Sequence, residues 1–228
     1  MTTYSRLQFL DGANITSSGM IIFHDFTFSI LMFILTFVIF MTFSSVSMYK
    51  HTNFFKEYNF NMLETIWTIF PALVLLALGV PSFLMMYFLE GELKGDLTVK
   101  AVGHQWFWSY EGDDLIKFDF DSYMVKDDSL NLGDSRVLEV DNSLVLPLMT
   151  KIRMIITSTD VLHSWAMPSM CLKMDAIPGR LNTMNIMSSY PGSFYGQCSE
   201  ICGINHSFMP IHVEFIGWKD YIKMLMLG

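Results

Sequence analysis

Two long uncharged stretches constrain this chain more than any other feature of its sequence. Residues 26–49 contain no charged side chain over 24 positions, and residues 65–89 contain none over 25. About 20 predominantly apolar residues are enough to cross the hydrocarbon core of a bilayer as a helix. A buried helix of a soluble protein is the alternative, but two such stretches so close together favour a membrane. The sequence therefore predicts a transmembrane hairpin of two helices.

The predicted hairpin divides the chain into five segments. They are an N-terminal segment (1–25), a first span (26–49), a connector (50–64), a second span (65–89) and a C-terminal domain (90–228). Because the number of spans is even, we expect both termini on the same side of the membrane. The connector carries too few charges for the bias of Lys and Arg to fix the orientation.

The C-terminal domain has the pattern of a β-rich fold. Short stretches rich in Val, Ile, Leu and Thr alternate with turn-forming residues. The predicted strands are 97–103, 136–141, 144–148, 151–157, 180–187 and 211–216, and residues 218–226 are a short amphipathic helix. Because no convincing helix separates the strands, the pattern favours a β-sandwich or a barrel.

The charge and the cysteine content of this domain exclude two classes of protein. Residues 90–228 contain 18 acidic and 11 basic residues, a net charge of −7. This balance argues against nucleic acid as a partner and favours a basic protein. The chain has three cysteines, of which Cys198 and Cys202 are close together and Cys171 is left over. A disulfide framework is therefore a poor interpretation.

The segment 198–209, which we call the ligand loop, has the composition of a metal site. Cys198, Cys202, His206 and Met209 place two thiols, an imidazole and a thioether within twelve residues. Sulfur and imidazole ligands together select copper, zinc or iron–sulfur centres over magnesium and calcium. Zinc sites draw mostly on Cys and His alone, so the thioether favours copper.

Two further residues are candidates for the same site. His163 follows the predicted strand 151–157, and its imidazole would complete a pair of copper ions bridged by two thiolates. Taken alone, it would more often be a surface or core histidine. Glu200 lies between the two cysteines. Its carbonyl is a possible weak ligand and its carboxylate a possible ligand for a hard cation, while a solvated carboxylate is the alternative.

An aromatic segment at 103–110 is predicted as one strand. Alternation along a strand places His104, Trp106, Trp108 and Tyr110 on one face. Two interpretations stay open: these rings pack in the core of the domain, or Trp106 is exposed near the metal and passes electrons.

An acidic run follows the aromatic segment. Seven acidic residues stand against two lysines between 111 and 128: Glu111, Asp113, Asp114, Asp119, Asp121, Asp127 and Asp128, with Lys117 and Lys126. Such a run is usually a solvated loop. Beside a redox centre it would instead steer a cationic partner, and this attraction would weaken as the salt concentration rises.

Glu64 stands where the connector meets the second span, and it also has two interpretations. Asn61 followed three residues later by Glu64 fits a helix N-cap with a capping-box acid. An ionisable residue at the edge of a membrane can also admit protons.

These motifs together resemble subunit II of cytochrome c oxidase, of the mitochondrially encoded type, nearly from end to end. The resemblance is carried by residues 64–71, 103–111, 138–142, 160–165, 173–180 and 195–203, the last continued through His206 and Met209. It implies a membrane-anchored all-β protein, in which a two-helix transmembrane hairpin is followed by a cupredoxin-like Greek-key β-sandwich.

The resemblance also implies the metal ligands. Cys198 and Cys202 would bridge the two copper ions of a centre called Cu-A. His163, His206, Met209 and the carbonyl of Glu200 would complete the ligation. The carboxylate of Glu200 would bind magnesium at the contact with subunit I.

The function implied is that of an oxidoreductase subunit. Electrons from reduced cytochrome c would enter at Trp106 and pass to haem in subunit I, where oxygen is reduced and protons are pumped. Glu64 would lie at the mouth of a proton path into subunit I. The residues facing cytochrome c would be Glu111, Asp114, Asp121, Tyr123, Asp141 and Asp160.

The resemblance further implies partners and a location. The partners would be cytochrome c, subunit I, other oxidase subunits and membrane lipid. The protein would cross the mitochondrial inner membrane twice, with both termini and the copper domain in the intermembrane space. Two positions depart from the family pattern, namely Lys117 in the acidic run and Cys171, where glycine is usual.

Two rival interpretations come from other classes of protein. A membrane-tethered copper chaperone would also use two cysteines spaced as Cys198 and Cys202 are, but its copper would exchange readily. A purely structural membrane subunit would tolerate the loss of Cys198.

Overall fold

The computed structural model describes residues 9–49, 60–89 and 94–227, apart from residues 113 and 116. The described residues fall into two compact units. One lies within 19–89, and the other combines the residues up to Ser18 with those from 94 onwards.

The first helix, α1 (Ile15–Tyr49), begins well before the predicted span. Asn14 caps it, because the Ser17 N–H donates to Asn14 Oδ1 at 2.7 Å and the Asn14 N–H donates to Ser17 Oγ at 3.1 Å. This reciprocal pair satisfies backbone donors that the first turn of a helix leaves unpaired. The uncharged stretch therefore marks only the apolar part of a longer helix.

The second helix, α2 (Asn61–Leu89), contains Pro71 and Pro81. The Glu64 N–H donates to the carbonyl of Phe60. Phe60 is therefore the residue before the first turn, and the prediction of Asn61 as the N-cap is wrong. Glu64 lies in the first turn.

Both helices have the properties of membrane spans. Each is long and apolar enough to cross a bilayer, and its apolar side chains face outward. Hydroxyls such as those of Thr36 and Thr42 donate to carbonyls four residues earlier in α1. These hydroxyls are thereby satisfied within the helix, as a lipid environment requires.

The second unit is built from ten strands and a C-terminal helix. The elements are β1 (Leu97–His104), β2 (Phe107–Gly112), β3 (Phe118–Ser122), β4 (Leu144–Pro147), β5 (Ile152–Ser158), β6 (His163–Met167), β7 (Leu172–Ala176), β8 (Asn182–Ile186), β9 (Gly192–Gln197), β10 (Pro210–Ile216) and α3 (Trp218–Leu227). We call this unit the β-rich domain.

The strands form mixed sheets. A five-stranded sheet has the order β3-β2-β1-β5-β8, a three-stranded sheet the order β4-β10-β9, and β6 pairs with β7. β1 and β5 are parallel, as are β4 and β10, and the other pairs are antiparallel. The prediction of a β-rich domain after two apolar helices is confirmed.

Alternation along the strands builds the core of this domain. In β5, Ile152, Met154 and Ile156 are fully buried, while Arg153 and Ile155 between them are partly exposed. The central strands contribute similar buried residues: Val99, Ala101, Leu144, Leu146, Trp165, Met167, Val213 and Phe215. The buried faces pack together because each strand presents its apolar residues at every second position.

Two strand predictions are wrong. Residues 136–141 form a turn in which the Ser135 carbonyl accepts from the N–H groups of Leu138 and Glu139, and Val140 makes only an isolated bridge. The aromatic segment is not one strand either, because Gln105 and Trp106 form a turn that joins β1 to β2. Neither residue is a turn former, so the sequence carries no signal for this break.

Residues 9–18, which precede and begin α1, belong to the β-rich domain. The Ala13 N–H donates to the Ser169 carbonyl at 3.0 Å, and the Ser189 N–H donates to the Ala13 carbonyl at 2.9 Å. Ala13 and Ser17 are fully buried. A segment distant in sequence thus joins two loops of the domain.

Candidate metal centre

The ligand loop joins β9 to β10, two antiparallel neighbours in the same sheet. His163 is the first residue of β6, which belongs to a different sheet. The Ser199 N–H donates to the Ser164 carbonyl at 3.0 Å and ties the loop to that strand. Rigid strands on both sides therefore hold the two parts of the site together.

Cys198 is the centre of one half of the site. Its Sγ atom lies 3.8 Å from His163 Nδ1 and 3.4 Å from the carbonyl oxygen of Glu200. A residue 35 positions earlier in the chain is thereby placed against the loop.

Cys202 is the centre of the other half. Its Sγ atom lies 3.4 Å from His206 Nδ1 and 3.5 Å from Met209 Sδ. One ligand atom each from His163, Cys198 and Cys202 lie within 4.8 Å of one another. The structure thus brings together all six residues named as copper ligands from the sequence.

Four of the six donor residues are buried, while Glu200 and His206 are partly exposed. His163 is fully buried, Met209 is 1% exposed, and Cys198 and Cys202 are 6% and 4% exposed. Both thiols are free, although they are close to one another. Soft, buried donors without a disulfide fit a thiophilic metal ion.

The pKa values of the two thiols move in opposite directions. Burial disfavours the thiolate of Cys198, but hydrogen bonds from its surroundings, with His163 foremost, outweigh burial and lower its pKa. Burial and the neighbouring Cys198 raise the pKa of Cys202 to about 12. Two thiols this close do not both ionise readily unless a cation lies between them. The pair of thiols therefore fits a metal ion that displaces both protons.

Asp160 orients the buried imidazole. Its Oδ1 atom lies 2.8 Å from His163 Nε2, which leaves Nδ1 directed towards Cys198. Metal-binding histidines commonly carry such a carboxylate on the nitrogen that does not bind metal. Burial lowers the pKa of His163, but the bonds with Cys198 and Asp160 outweigh burial and raise it.

Two glycines make room for the site. A Cβ atom at Gly103 in β1 would lie 2.9 Å from Cδ2 of the His163 ring. A Cβ atom at Gly196 in β9 would collide with the Ala166 carbonyl of β6. Both positions need close approach between neighbouring elements, which only glycine permits here.

Trp106 lies against the ligand loop. Gly203 follows Cys202 directly, and a Cβ atom there would lie 3.1 Å from Trp106 Cζ2. Trp108 and Tyr110 are instead fully buried in the core. Trp106 is partly buried and contacts both the core and the ligand loop, so its exposure and its role in passing electrons stay predictions.

Three of the predicted docking residues form one cluster. The Tyr123 N–H donates to Asp141 Oδ1 at 2.8 Å, and the Tyr123 hydroxyl lies 3.4 Å from Asp121 Oδ2. The Tyr123 ring stacks on Phe107, which stacks on His104, with 4.4 Å between centroids in each pair. The stack connects this cluster with the turn that carries Trp106.

Two other predicted docking residues lie at the end of β2 and just after it. Glu111 is paired with Lys100, whose Nζ atom is 3.0 Å from Glu111 Oε2, and Asp114 accepts from the Thr98 N–H. Glu111 stands three residues beyond Trp108, so these acids lie away from the turn. Lys117 is exposed beside them.

Two predicted roles depend on groups outside the cluster of donors. Glu200 reaches the site through its carbonyl, and magnesium binding by its carboxylate stays a prediction. Glu64 belongs to the unit that holds the helices, and its role in proton uptake likewise stays a prediction.

Sequence reasoning missed several residues that shape the site. Gln105 donates from Nε2 to the Cys202 carbonyl at 2.7 Å, and Gly103 and Gly203 clear space for His163 and Trp106. Their only sequence signal is their position, Gly103 and Gln105 in the aromatic segment and Gly203 in the ligand loop. A glycine that admits a ring from a distant segment cannot be told from a turn glycine without the fold.

Sequence comparisons identify relatives over nearly the whole chain. The family described as "Cytochrome C oxidase subunit II, periplasmic domain" matches residues 97–216, and the one described as "Cytochrome C oxidase subunit II, transmembrane domain" matches residues 2–85. Cytochrome c oxidase subunit 2 of Albinaria caerulea is 45% identical, covering 98% of this chain and 99% of that protein. Its counterpart from Zea mays is 47% identical, covering 95% and 86%.

Solved structures match the β-rich domain. The periplasmic domain of cytochrome oxidase subunit II from Bradyrhizobium japonicum is 45% identical with a TM-score of 0.55, covering 59% of this chain and 94% of that one. A mixed-disulfide intermediate between a thioredoxin-like protein and a cytochrome c oxidase subunit II contains a chain that is 44% identical, with a TM-score of 0.52. It covers 59% of this chain and 91% of that one.

Proposed function

Because the chain belongs to the cytochrome c oxidase subunit II family, we propose that it is the subunit through which electrons enter the oxidase. As a member of that family it is a two-pass membrane protein with a cupredoxin-like domain, and it is part of an oxidoreductase complex. One observation carries the proposal. Six donor groups from β6 and the ligand loop lie around two buried thiols that are close to one another.

The donor set favours two copper ions, the Cu-A centre, as the cofactor. Cys198 and Cys202 would bridge the ions, while His163, His206, Met209 and the Glu200 carbonyl would complete the ligation. Two ions sharing one electron through two thiolates supply a redox site whose geometry changes little on reduction. The rigid strands on either side of the loop serve the same end, since they limit movement of the ligands.

The surface beside Trp106 supports reduced cytochrome c as the electron donor. Asp121, Tyr123, Asp141 and Asp160 surround the turn that carries this ring. Together with Glu111 and Asp114, they would attract a cationic partner and speed its association. Trp106 would receive the electron, because its ring packs against the residue that follows Cys202.

The remaining roles concern the oxidase complex. The electron would pass to haem in subunit I, where oxygen reduction is coupled to proton pumping. The Glu200 carboxylate would hold magnesium at the contact with that subunit, and Glu64 would admit protons. The protein would lie in the mitochondrial inner membrane, with its termini and copper domain in the intermembrane space, among other oxidase subunits and lipid.

The test replaces Cys198 with serine in the complete oxidase. We expect Cys198→Ser to abolish the two-copper site, because a hydroxyl is a poor ligand for copper and no second bridge remains. Copper per chain and the electron paramagnetic resonance spectrum are measured, together with electron uptake from reduced cytochrome c. In the parent, one unpaired electron should be shared by two copper ions.

Cys171→Ser is the matched control. Cys171 is a free thiol outside the described donor cluster, so its loss should leave both copper and electron uptake unchanged. A single, readily exchanged copper in the parent would instead favour a chaperone. Normal electron uptake in assembled Cys198→Ser would leave only a structural role.

A further inference from the structure

Gln105 makes two hydrogen bonds that join separate parts of the site. Its side-chain Nε2 donates to the Cys202 carbonyl at 2.7 Å. Its backbone N–H donates to Asp160 Oδ2, also at 2.7 Å. One residue of the turn is thereby bonded to a predicted bridging ligand and to the carboxylate that orients His163.

Asp160 closes this connection on the other side. Its Oδ1 atom faces His163 Nε2 at 2.8 Å while Oδ2 accepts from Gln105. The Ser158 hydroxyl and the Val161 N–H also contact Oδ1, at 3.2 and 2.6 Å. The carboxylate is therefore fixed, and it holds the 105–106 turn and the imidazole in one hydrogen-bonded frame.

Gly203 of the ligand loop lies against both residues of the turn. A Cβ atom at this residue would lie 3.2 Å from Gln105 Nε2 and 3.3 Å from Trp106 Nε1. Its φ of +129° is also a value that side chains disfavour. The amide and the indole of neighbouring residues therefore rest on the same glycine of the ligand loop.

We propose that Gln105 is a positioning residue, which holds the Trp106 ring against the ligand loop through its bond to the Cys202 carbonyl. The proposal rests on the proposed function, since it assumes that electrons enter at Trp106. In this role Gln105 acts through the Trp106 ring, because its side-chain amide is bonded to the Cys202 carbonyl. It fixes the distance between the indole and a segment whose thiol is a predicted ligand.

The transfer that this geometry serves is a single-electron step. One electron leaves the reduced haem of cytochrome c and arrives at the oxidised centre, so the donor is oxidised and the acceptor reduced. No covalent bond forms or breaks, and no proton has to move with the electron. The rate then depends steeply on the distance and contact along the route, which is why a hydrogen bond that fixes the turn matters.

A merely structural role would have a different signature. Trp106 lies in a turn whose neighbours, His104 and Phe107, are already paired in the sheet. Loss of the Gln105 side chain should therefore leave the strands and the donors in place. Only the position of the two turn residues relative to Gly203 should change.

The experiment compares Gln105→Met with the parent in the complete oxidase. Methionine keeps the length of the side chain but removes the donor. We expect the limiting rate of electron uptake at saturating cytochrome c to fall about tenfold, because small misplacements of reacting groups are costly. The half-saturating concentration, the copper content and the copper resonance spectrum should stay unchanged. Hydrogen exchange should become faster in the peptide covering 104–108.

One control variant and one second test of the turn accompany this experiment. Asn131→Ala removes an amide from an exposed turn and should behave as the parent does. Gly203→Ala displaces the turn from the other side and should slow electron uptake in the same way, even if Gln105→Met fails to fold.

The outcomes separate this inference from the proposed function. A parental limiting rate in Gln105→Met, or copper lost in proportion to the rate, overturns the positioning role. If Trp106→Phe takes up electrons as fast as the parent, the place of electron uptake is wrong and the inference falls with it. A slow Trp106→Phe beside a normal Gln105→Met overturns the inference alone.

Discussion

His163 and His212 are both buried in the β-rich domain, yet their rings are held in different ways. His163 in β6 is bonded at both nitrogens, at 2.8 Å to Asp160 and at 3.8 Å to the sulfur of Cys198. His212 in β10 has a carboxylate near each nitrogen, Glu139 and Glu214, but both lie 3.7 Å away. Carboxylates alone therefore do not distinguish a ligand from a core residue.

The surroundings of His212 are those of a packed ring. It stacks on Tyr195, its neighbour across the β9–β10 pair, at a centroid distance of 4.4 Å. The Tyr195 hydroxyl donates to Glu139 at 3.0 Å, and His212 Nε2 has no hydrogen bond. Burial lowers the pKa of His212, against the opposing effect of Glu214 and Glu139.

This difference shows which surroundings suit an imidazole for binding a metal ion. A metal-binding imidazole needs one nitrogen held by a fixed partner, while the other nitrogen faces the remaining metal ligands. His163 meets both conditions, because Asp160 occupies one side and sulfur the other. His212 meets neither, although its burial is similar.

We expect the largest effect when each of the two histidines is replaced in turn. We expect His163→Ala to lose the copper centre and to reduce electron uptake more than about 100-fold, since loss of an outer partner alone typically costs 10–100-fold. His212→Val should keep both properties near those of the parent. Copper per chain and uptake from cytochrome c are measured in the assembled oxidase. If His163→Ala keeps two copper ions per chain, the distinction between His163 as a ligand and His212 as a core residue is wrong.

The next effect tests the carboxylate that makes the difference. Asp160→Asn keeps the shape but removes the charge facing His163 Nε2, so we expect copper affinity to fall about 10–100-fold. Glu139→Gln, beside His212, should leave copper affinity unchanged. Competition with a copper chelator measures both variants. Asp119→Asn controls for the loss of an exposed acid, and equal affinities in all three would contradict the role of Asp160.

A smaller effect probes the space around the His163 ring. In Gly103→Ala the new methyl group would lie 2.9 Å from the ring, so the imidazole or the strand has to shift. We expect a destabilisation of about 1–3 kcal/mol, the usual cost of overpacking. Heating curves of the copper signal measure it. Curves that coincide with those of the parent would mean that the pocket of His163 is looser than the structure indicates.

The smallest effect concerns the pH dependence of the His212 region. Because the pKa of His212 is lowered in the fold, the unfolded chain binds a proton near the usual value of 6.5 that the folded chain does not. Stability is therefore present above that pH and is lost as the pH falls below it.

His212→Val removes this loss. As the pH falls from 7.5 to 5.5, we expect the melting temperature of the parent to fall further than that of the variant. Hydrogen exchange in β10, corrected for the intrinsic effect of pH, provides a local measurement. If the melting temperature of the variant instead fell further than that of the parent, the two glutamates, and not burial, would determine the pKa of His212.

The sequence predicts the parts of this molecule that depend on composition over many residues. Long uncharged stretches indicate the two helices because no other fold tolerates them so readily. The clustering of sulfur and imidazole donors in the ligand loop indicates copper because ligand chemistry depends on residue type. Placing His163 beside that loop needed more than periodicity, namely its position after a predicted strand and the need of the loop for a further imidazole.

The parts that escaped prediction depend on contacts between distant segments. The turn at Gln105 and Trp106 lacks Gly, Pro, Asn and Asp, so alternation alone extends one strand through it. The segment 136–141 has the residues of a strand, but its backbone bonds close locally on Ser135. Likewise, the start of α1 is set by the Asn14 cap, which hydropathy does not register.

The bonds that Ala13 makes to Ser169 and Ser189 bear on how a water-soluble fragment should be cut. A fragment that starts at residue 94 leaves the Ser169 carbonyl and the Ser189 amide without these partners, at a cost of about 0.5–1.5 kcal/mol for each lost hydrogen bond. It also opens the groove that the fully buried Ala13 and Ser17 fill. Supplying residues 9–18 as a separate peptide, or fusing them to the fragment through a flexible linker, would close that groove and yield a more durable sample for spectroscopy.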